Sequence, residues 1–384
     1  MGHGESLLPA PRRILRPTVE SLDAHPHVKA ILGPVIEGRA TASHAYLFHG
    51  PPGCGRAEVA EALATALLDV GSDRGDTATR VAARSHPDLS WIRPEGANGE
   101  ILVDDVRDIV GSVPMTPFEA KCRVFVIEGA DRMNDSSANA FLKTLEEPPA
   151  HAHLILIADA TTTVLPTILS RCQSVRFEPP TAAALAKRLE REGIAPDRAE
   201  QCARASGGDG TRARLLASEN GLALQHAGQE LARGALRGGA ATARPWLEII
   251  SAASERGKAA FAEVEAGAEA RLEFAAKSEK KRLQREAEER GKRASRRAES
   301  AAADLALFIA EAHLRDVHRA AVGAVDVLPP EQAAVLVSEA GGIRPSDLRH
   351  AIERIEQTRR ALTLNVNREL AIESLAHQLD GALS

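Results

Sequence analysis

The sequence predicts a doubly wound α/β domain followed by a wholly helical region, and three observations carry that prediction. Continuous apolar runs, "AYLFHG" (45–50), "RVFVIEG" (123–129) and "LILIAD" (154–159), alternate with helical stretches over the first 180 residues. A glycine loop follows the first run and opens a helix. Beyond "FEPPTAAA" the strand signals fade and helical spacing takes over. Unbroken apolar runs, rather than alternating ones, suit parallel strands covered on both faces. Strand–helix alternation with a glycine loop after the first strand then selects the doubly wound class.

The elements follow in order. "AYLFHG" reads as a short buried strand. Arg56 to Leu68 reads as a helix, with Val59, Leu63 and Leu67 at i, i+4 and i+8. In "NDSSANAFLKTLEEPP" (134–149), Asn134 or Asp135 fits an N-cap. Ala138, Phe141, Leu142 and Leu145 form one apolar face, and Pro148 and Pro149 stop the helix. "SVRF" (174–177) reads as a further strand. Residues 181–217 form a small helical unit containing "ASGGDGTRARLLAS". From 222 onward the pattern is almost wholly helical, ending in a long amphipathic helix, a break at "TLNVN" and a second helix.

Composition narrows the function classes. The 384 residues suffice for two or three domains, each with its own core. Hydrophobic residues make up 44% and charged residues 26%, ordinary for a soluble protein. Aromatics are only 3%, which argues against a nucleic-acid surface built on stacked aromatic platforms. Net charge is −5, so any contact with nucleic acid has to come from a local patch or from partner chains. The four cysteines, Cys54, Cys122, Cys172 and Cys202, are dispersed, which points to reduced thiols and no zinc site. No apolar run reaches membrane-span length and no secretory apolar region follows the N-terminus. The opening "MGHGES" matches a myristoylation pattern that no other feature supports. A soluble, cytoplasmic protein is expected.

The chemistry concentrates in a few places. Gly50, Gly53 and Gly55 lie in a strand-to-helix loop whose backbone N–H groups could cradle phosphates. Where such a loop places lysine and then serine or threonine, this chain has Arg56 and Ala57. A guanidinium is a planar fork rather than a compact ammonium, and alanine has no hydroxyl for Mg²⁺. The second apolar run ends in Glu128 and Gly129, where an ATPase would place an aspartate for Mg²⁺ and a glutamate to activate water. Glu128 is a methylene too long, Gly129 has no carboxylate, and Asp131 lies three positions on. Together these changes predict a weak or empty loop and no ATP hydrolysis by this chain.

Further along, Arg171 falls between a short helix and a strand. It is either a helix-end residue offsetting the C-terminal dipole or an arginine finger acting on another subunit's nucleotide. Arg212 in "GDGTRAR" is either a second nucleotide sensor or part of a helix N-terminus. Lys277 to Arg297 holds ten Lys/Arg against four Glu, a net +6, and is either a solvated face or a phosphate- or partner-contacting helix.

These motifs in this order resemble the clamp-loader branch of the AAA+ proteins, most closely its bacterial delta-prime family. The resemblance rests on "HAYLFHGPPGCGR", on "ANAFLKTLEEPP" and on "ILSRC" (168–172), and covers about residues 25–180. It implies a RecA-like P-loop AAA+ domain with a degenerate loop (1–180), a small helical lid (181–220) and a C-terminal helical collar (221–384) that includes the charged stretch 255–300. It also implies a non-hydrolysing subunit of the DNA polymerase III clamp loader. By carry-over Arg171, within the Ser170-Arg171-Cys172 motif, would reach the ATP of a neighbouring gamma/tau subunit. Implied partners are gamma/tau and delta subunits, with the sliding clamp and primer–template DNA met through the complex. No cofactor of its own is implied, ATP being bound by the partners. The four-cysteine zinc module of many relatives is not matched, since residues 69–91 contain no cysteine. The rival readings are an active AAA+ ATPase of the gamma/tau or helicase-loader type and a P-loop kinase or nucleotide-binding metabolic enzyme.

Overall fold

A computed structural model describes residues 22–70, 74–94, 101, 103–133, 135–274, 277–328, 332–363 and 366–383. The myristoylation pattern, Asn134 and part of the "TLNVN" break lie outside these residues. The chain divides into two compact units, one ending at Ala213 and one beginning at Arg214.

In the first unit, α1 (Pro26–Ile36) leads into β1 (Ala45–His49), then α2 (Arg56–Leu68), α3 (Arg74–Ala82), β2 (Leu89–Ile92) and α4 (Val103–Ser112). There follow β3 (Arg123–Glu128), a 3₁₀ turn (Ala130–Arg132), α5 (Asp135–Glu146), β4 (Ala152–Ala158), α6 (Pro166–Leu169) and β5 (Gln173–Arg176). The five strands are all parallel in the order β2-β3-β4-β1-β5. β1 thus sits between β4 and β5, with Leu47 opposite Leu156 and Phe48 opposite Val175.

Side chains alternate across this sheet because successive Cβ atoms point to opposite faces. Tyr46, Phe48, Val124, Val126, Ile155 and Ile157 pack with α1 and α2 in one core. Leu47, Phe125, Ile127, Leu154 and Leu156 pack with α4, α5 and α6 in the other. Both faces are covered, which is why the strands read as unbroken apolar runs. The parallel five-stranded sheet bears out the expected α/β class. Asp135 proves to be the first residue of α5 rather than its cap, and the last strand starts one residue earlier than expected, at Gln173. β2 begins near the end of the segment 69–91 and closes one residue beyond it, and four residues are too few to declare a period.

Three helices close this unit: α7 (Ala182–Arg191), α8 (Pro196–Ala205) and α9 (Gly210–Ala217), which runs across the division between the units. Thr181 caps α7, its side chain accepting from the Ala184 amide at 3.2 Å.

The second unit is helical throughout its described residues. α10 (Gly221–Leu236), α11 (Ala240–Ala243), α12 (Trp246–Phe274) and α13 (Lys277–Ala321) precede α14 (Ala333–Glu339), α15 (Pro345–Leu362) and α16 (Arg368–Leu383). The charged stretch 255–300 is shared by two helices: Phe261 meets Gly291 and Gly257 meets Glu299, so α12 and α13 run antiparallel. The later half of α13 is core, with Leu305, Leu307, Leu314 and Val317 fully buried.

Candidate functional site: a glycine loop closed from within

The loop between β1 and α2 sits where an α/β sheet offers backbone N–H groups to phosphate. Each of its neighbours can be traced to a specific contact. Arg56, the first residue of α2, is only 8% exposed. Its guanidinium reaches the end of β4, where Nη1 donates to the Ala158 carbonyl and Nη2 to Asp159 Oδ1 at 2.7 Å. Arg132 approaches the other oxygen of that carboxylate at 3.4 Å. A guanidinium held between a carbonyl and a carboxylate of its own chain has its charge offset and its position fixed at the end of β4. Ala57, at the hydroxyl position, packs against the core.

The acidic strand end is also engaged. Glu128 Oε1 accepts from Trp91 Nε1 at 2.6 Å and from Arg93 Nε at 2.7 Å, which directs this carboxylate toward the β2 edge. Gly129 has φ +74°, and a Cβ there would come within 2.6 Å of Pro94 Cγ. The position therefore demands glycine, for backbone and packing reasons together. Asp131 lies beyond the strand in the 3₁₀ turn. Burial first, and then the charge of Asp159, raise its pKa, and its Oδ1 is buried with no hydrogen-bond partner among the described residues.

The small helical unit closes over the loop. Gly210 N donates to Gly53 O at 2.9 Å. Gly53 has φ +73°, and a Cβ there would run into the carboxylate of Asp209. That carboxylate is held by the N-terminus of α9, Oδ1 accepting from Thr211 N at 2.8 Å and Arg212 N at 3.0 Å. Arg212 turns its Nε toward Asp209 at 3.8 Å. Arg212 stands in the first turn of α9. Beside Gly55 lie His25, Arg188 and Glu58, with Arg188 and Glu58 paired at 3.0 Å. His25 packs edge-on against Phe177, and burial lowers its pKa against a hydrogen bond with the Cys54 backbone.

Arg171 belongs to a different place. It follows the C-terminus of α6, where Nη1 donates to Thr167 O at 3.0 Å and to Ser170 Oγ at 3.1 Å. Its Nη2 pairs with Glu146 Oε1 at 2.7 Å, with both side chains substantially exposed. Two separate sequence motifs, "ANAFLKTLEEPP" and "ILSRC", are joined by this one ion pair. Ser170 Oγ donates to Thr167 O at 3.1 Å. Burial pushes the Cys172 thiol up to about 12, so it stays protonated and acts as a small apolar group.

Sequence reasoning found the loop and the SRC triplet but not Asp159, Asp209 or His25. For Asp159 and Asp209 the sequence offered at most a short acidic residue after a strand and before a predicted helix. The residues present do not fit a Mg²⁺–nucleotide: the lysine, the hydroxyl and the paired carboxylates are replaced, and Arg56 is committed elsewhere. Among the described residues no group of three or more His, Cys, Asp or Glu is placed to hold a metal, and no helix is long and apolar enough to cross a membrane.

Comparison with known proteins gives this geometry a context. Residues 30–181 match the family model described as "DNA polymerase III, delta subunit". The chain is 40% identical over 153 residues to DNA polymerase III subunit delta' of Pseudomonas aeruginosa, covering 38% of this chain and 47% of that one. It is 31% identical over 157 residues to the delta' subunit of Bacillus subtilis, covering 40% and 47%. The tau subunit of Bacillus subtilis matches at 32% over 153 residues, covering 38% and 27%. The matched stretch thus spans about half the length of the delta' relatives. A solved gamma subunit-related protein of Thermotoga maritima aligns over 92% of this chain and 99% of its own, with 18% identity and a TM-score of 0.44.

Proposed function

Residues 30–181 are clamp-loader delta-prime-like, and from that premise we propose that the chain is a non-hydrolysing subunit of a DNA polymerase III clamp loader. The observation that carries the reading is the commitment of Arg56 to Ala158 O and Asp159, in the place where a hydrolysing subunit would hold a phosphate-reaching lysine. On this reading the glycine loop is retained as a strand-to-helix turn that the lid packs against without nucleotide.

The chain's contribution to chemistry is then made in trans. Arg171 is donated to the ATP held by an adjacent gamma/tau subunit, where a guanidinium stabilises charge on the transferring phosphoryl group. Such a finger is worth ~10³–10⁵ in rate. Its pairing with Glu146 is an exposed one, of a kind that contributes about 0–1 kcal/mol, so the guanidinium is released at little cost. The second unit serves as the collar that joins gamma/tau and delta subunits in the cytoplasm. The sliding clamp and primed DNA are engaged through the assembled complex.

The deciding experiment measures ATPase rate in a loader reconstituted from gamma/tau, delta and this chain, with clamp and primed DNA, for wild type and Arg171→Ala. Assembly is checked by size-exclusion chromatography. A fall of tenfold or more with intact assembly is expected. An unchanged rate would return Arg171 to the role of a helix-end residue, and ATP turnover by the pure chain would overturn the non-hydrolysing assignment.

A further inference from the structure

The first half of α13 forms an arm whose outer face matches nothing in the chain's own core. Lys277–Arg297 carries ten Lys/Arg against four Glu, a net +6 in a chain of net −5. At 1.5 Å per residue this stretch is about 30 Å long. Its inward face is settled by contact: Gly291 lies against the ring of Phe261, and Leu283, Ala287, Ala294 and Ala298 recur at three- and four-residue spacing on the same side. At 3.6 residues per turn the opposite side carries Arg282, Arg285, Glu289, Lys292, Arg293 and Arg296, all exposed. Five cations and one anion therefore line one stripe about 20 Å long.

We propose that this stripe on the α12–α13 arm is a docking surface for the phosphate backbone of double-stranded DNA, read without regard to sequence. It goes beyond the reading of Arg171 and does not depend on it. Charge complementarity selects a polyanion, and the rest of the stripe selects which one. Protein interfaces draw their affinity from buried aromatic and apolar anchors, and the stripe has none. A membrane-surface helix needs an exposed apolar face, whereas the apolar side of this helix is spent on α12. Single strands are held by stacking on aromatic rings, which the stripe also lacks. What it offers is a straight row of mostly arginine heads, suited to a stiff backbone carrying one charge per about 1.7 Å of axis. Lys292 is paired with Glu288 at 2.6 Å, but both are exposed, and such a pair exchanges readily for a phosphate.

The test uses the full chain and a short fluorescently labelled duplex, with anisotropy read across a salt series. Four or five phosphate contacts predict an affinity loss of roughly 10²-fold between about 50 and 200 mM salt. The variant Arg282→Gln/Arg285→Gln/Arg293→Gln/Arg296→Gln keeps helix-forming residues on an exposed face, and circular dichroism will verify its fold. It is expected to bind at least about tenfold more weakly at low salt, with a flatter salt dependence. Equal binding by wild type and variant, or no wild-type binding at low salt, would overturn the proposal. So would preferential capture of polyglutamate or of anionic vesicles over the duplex.

Discussion

Arg56 and Asp159 meet at 2.7 Å across the C-terminal end of the sheet, 103 residues apart in sequence. The contact turns a residue that would face a nucleotide into one that joins the start of α2 to the end of β4. Because Arg56 is almost fully buried, its removal leaves the Ala158 carbonyl and the Asp159 carboxylate short of a donor. Arg56→Ala should cost about 1–3 kcal/mol, read as a lower denaturant midpoint at unchanged slope. Arg56→Lys should bind ATP no better than wild type by calorimetry, because the restored ammonium faces Asp159. Submillimolar ATP binding by Arg56→Lys would show that the carboxylate does not hold it.

Gly129 explains why the acidic strand end cannot be rebuilt by one substitution. Its φ of +74° is a conformation that costs a side-chain-bearing residue roughly 1–2 kcal/mol. A Cβ would also press on Pro94. Gly129→Glu should lower thermal stability and yield no ATP turnover, even combined with Arg56→Lys and Ala57→Thr. A phosphate-release assay on the triple variant checks this.

Asp209 joins the small helical unit to the loop. Asp209→Ala removes the acceptor that caps α9 and should cost about 0.5–2 kcal/mol, while Asp209→Asn should lose less because it keeps one oxygen acceptor. Hydrogen exchange at the Gly210 amide, which donates to Gly53 O, should quicken in Asp209→Ala. Unchanged protection there would mean that Asp209 does not hold Gly210 against the loop.

How much of this could be read in advance depends on the range of the contact. The loop glycines, Arg56, Ala57 and Gly129 stand at fixed offsets from apolar strands, so local spacing exposes both the motif and its losses. The helix of "ANAFLKTLEEPP" was legible from its apolar face and its two prolines. Asp159 was not, because its partner follows a strand that is adjacent in the sheet but 103 residues away in sequence, and a lone aspartate after a strand has no pattern. The division of the charged stretch 255–300 into two helices was equally hidden. Phe274 to Lys277 contains neither glycine nor proline, and both flanks favour helix, so nothing local marks the boundary.

Asp88 gives the first unit an acid-sensitive element. Burial alone would raise its pKa, but backbone donors from Phe118, Ala120 and Glu119 at 2.6–2.9 Å outweigh that and hold it below the ordinary value. A carboxylate whose pKa is depressed on folding contributes stability above its unfolded pKa of about 3.9. That contribution is lost as pH falls through the lower, folded value. Stability should therefore drop below about pH 4 in wild type, and Asp88→Asn should be less stable at neutral pH with a flatter acid limb. Thermal melts across that range test the slope.

In the second unit, Arg359 on α15 reaches two acids of α13, Glu311 at 2.5 Å and Asp304 at 2.8 Å. Glu311 is 1% exposed, so its charge is tolerable only while it is paired. Arg315 also contacts Glu311 from one turn along the same helix and crosses to Glu356 of α15 at 2.8 Å, a second and more exposed link between the two helices. Arg359→Leu removes the buried cross-helix donor to Glu311 and Asp304 and should cost about 3 kcal/mol, near the lower end for a broken buried pair because Arg315 still contacts Glu311. Glu311→Leu in the same background removes the stranded charge and should recover most of that loss, because an apolar pair of similar volume can replace a buried ion pair. The double variant therefore separates the two explanations. Recovery assigns the damage to a buried carboxylate short of a donor, whereas continued loss would assign it to packing of the arginine stem against Phe308, whose ring lies 5.3 Å below the guanidinium.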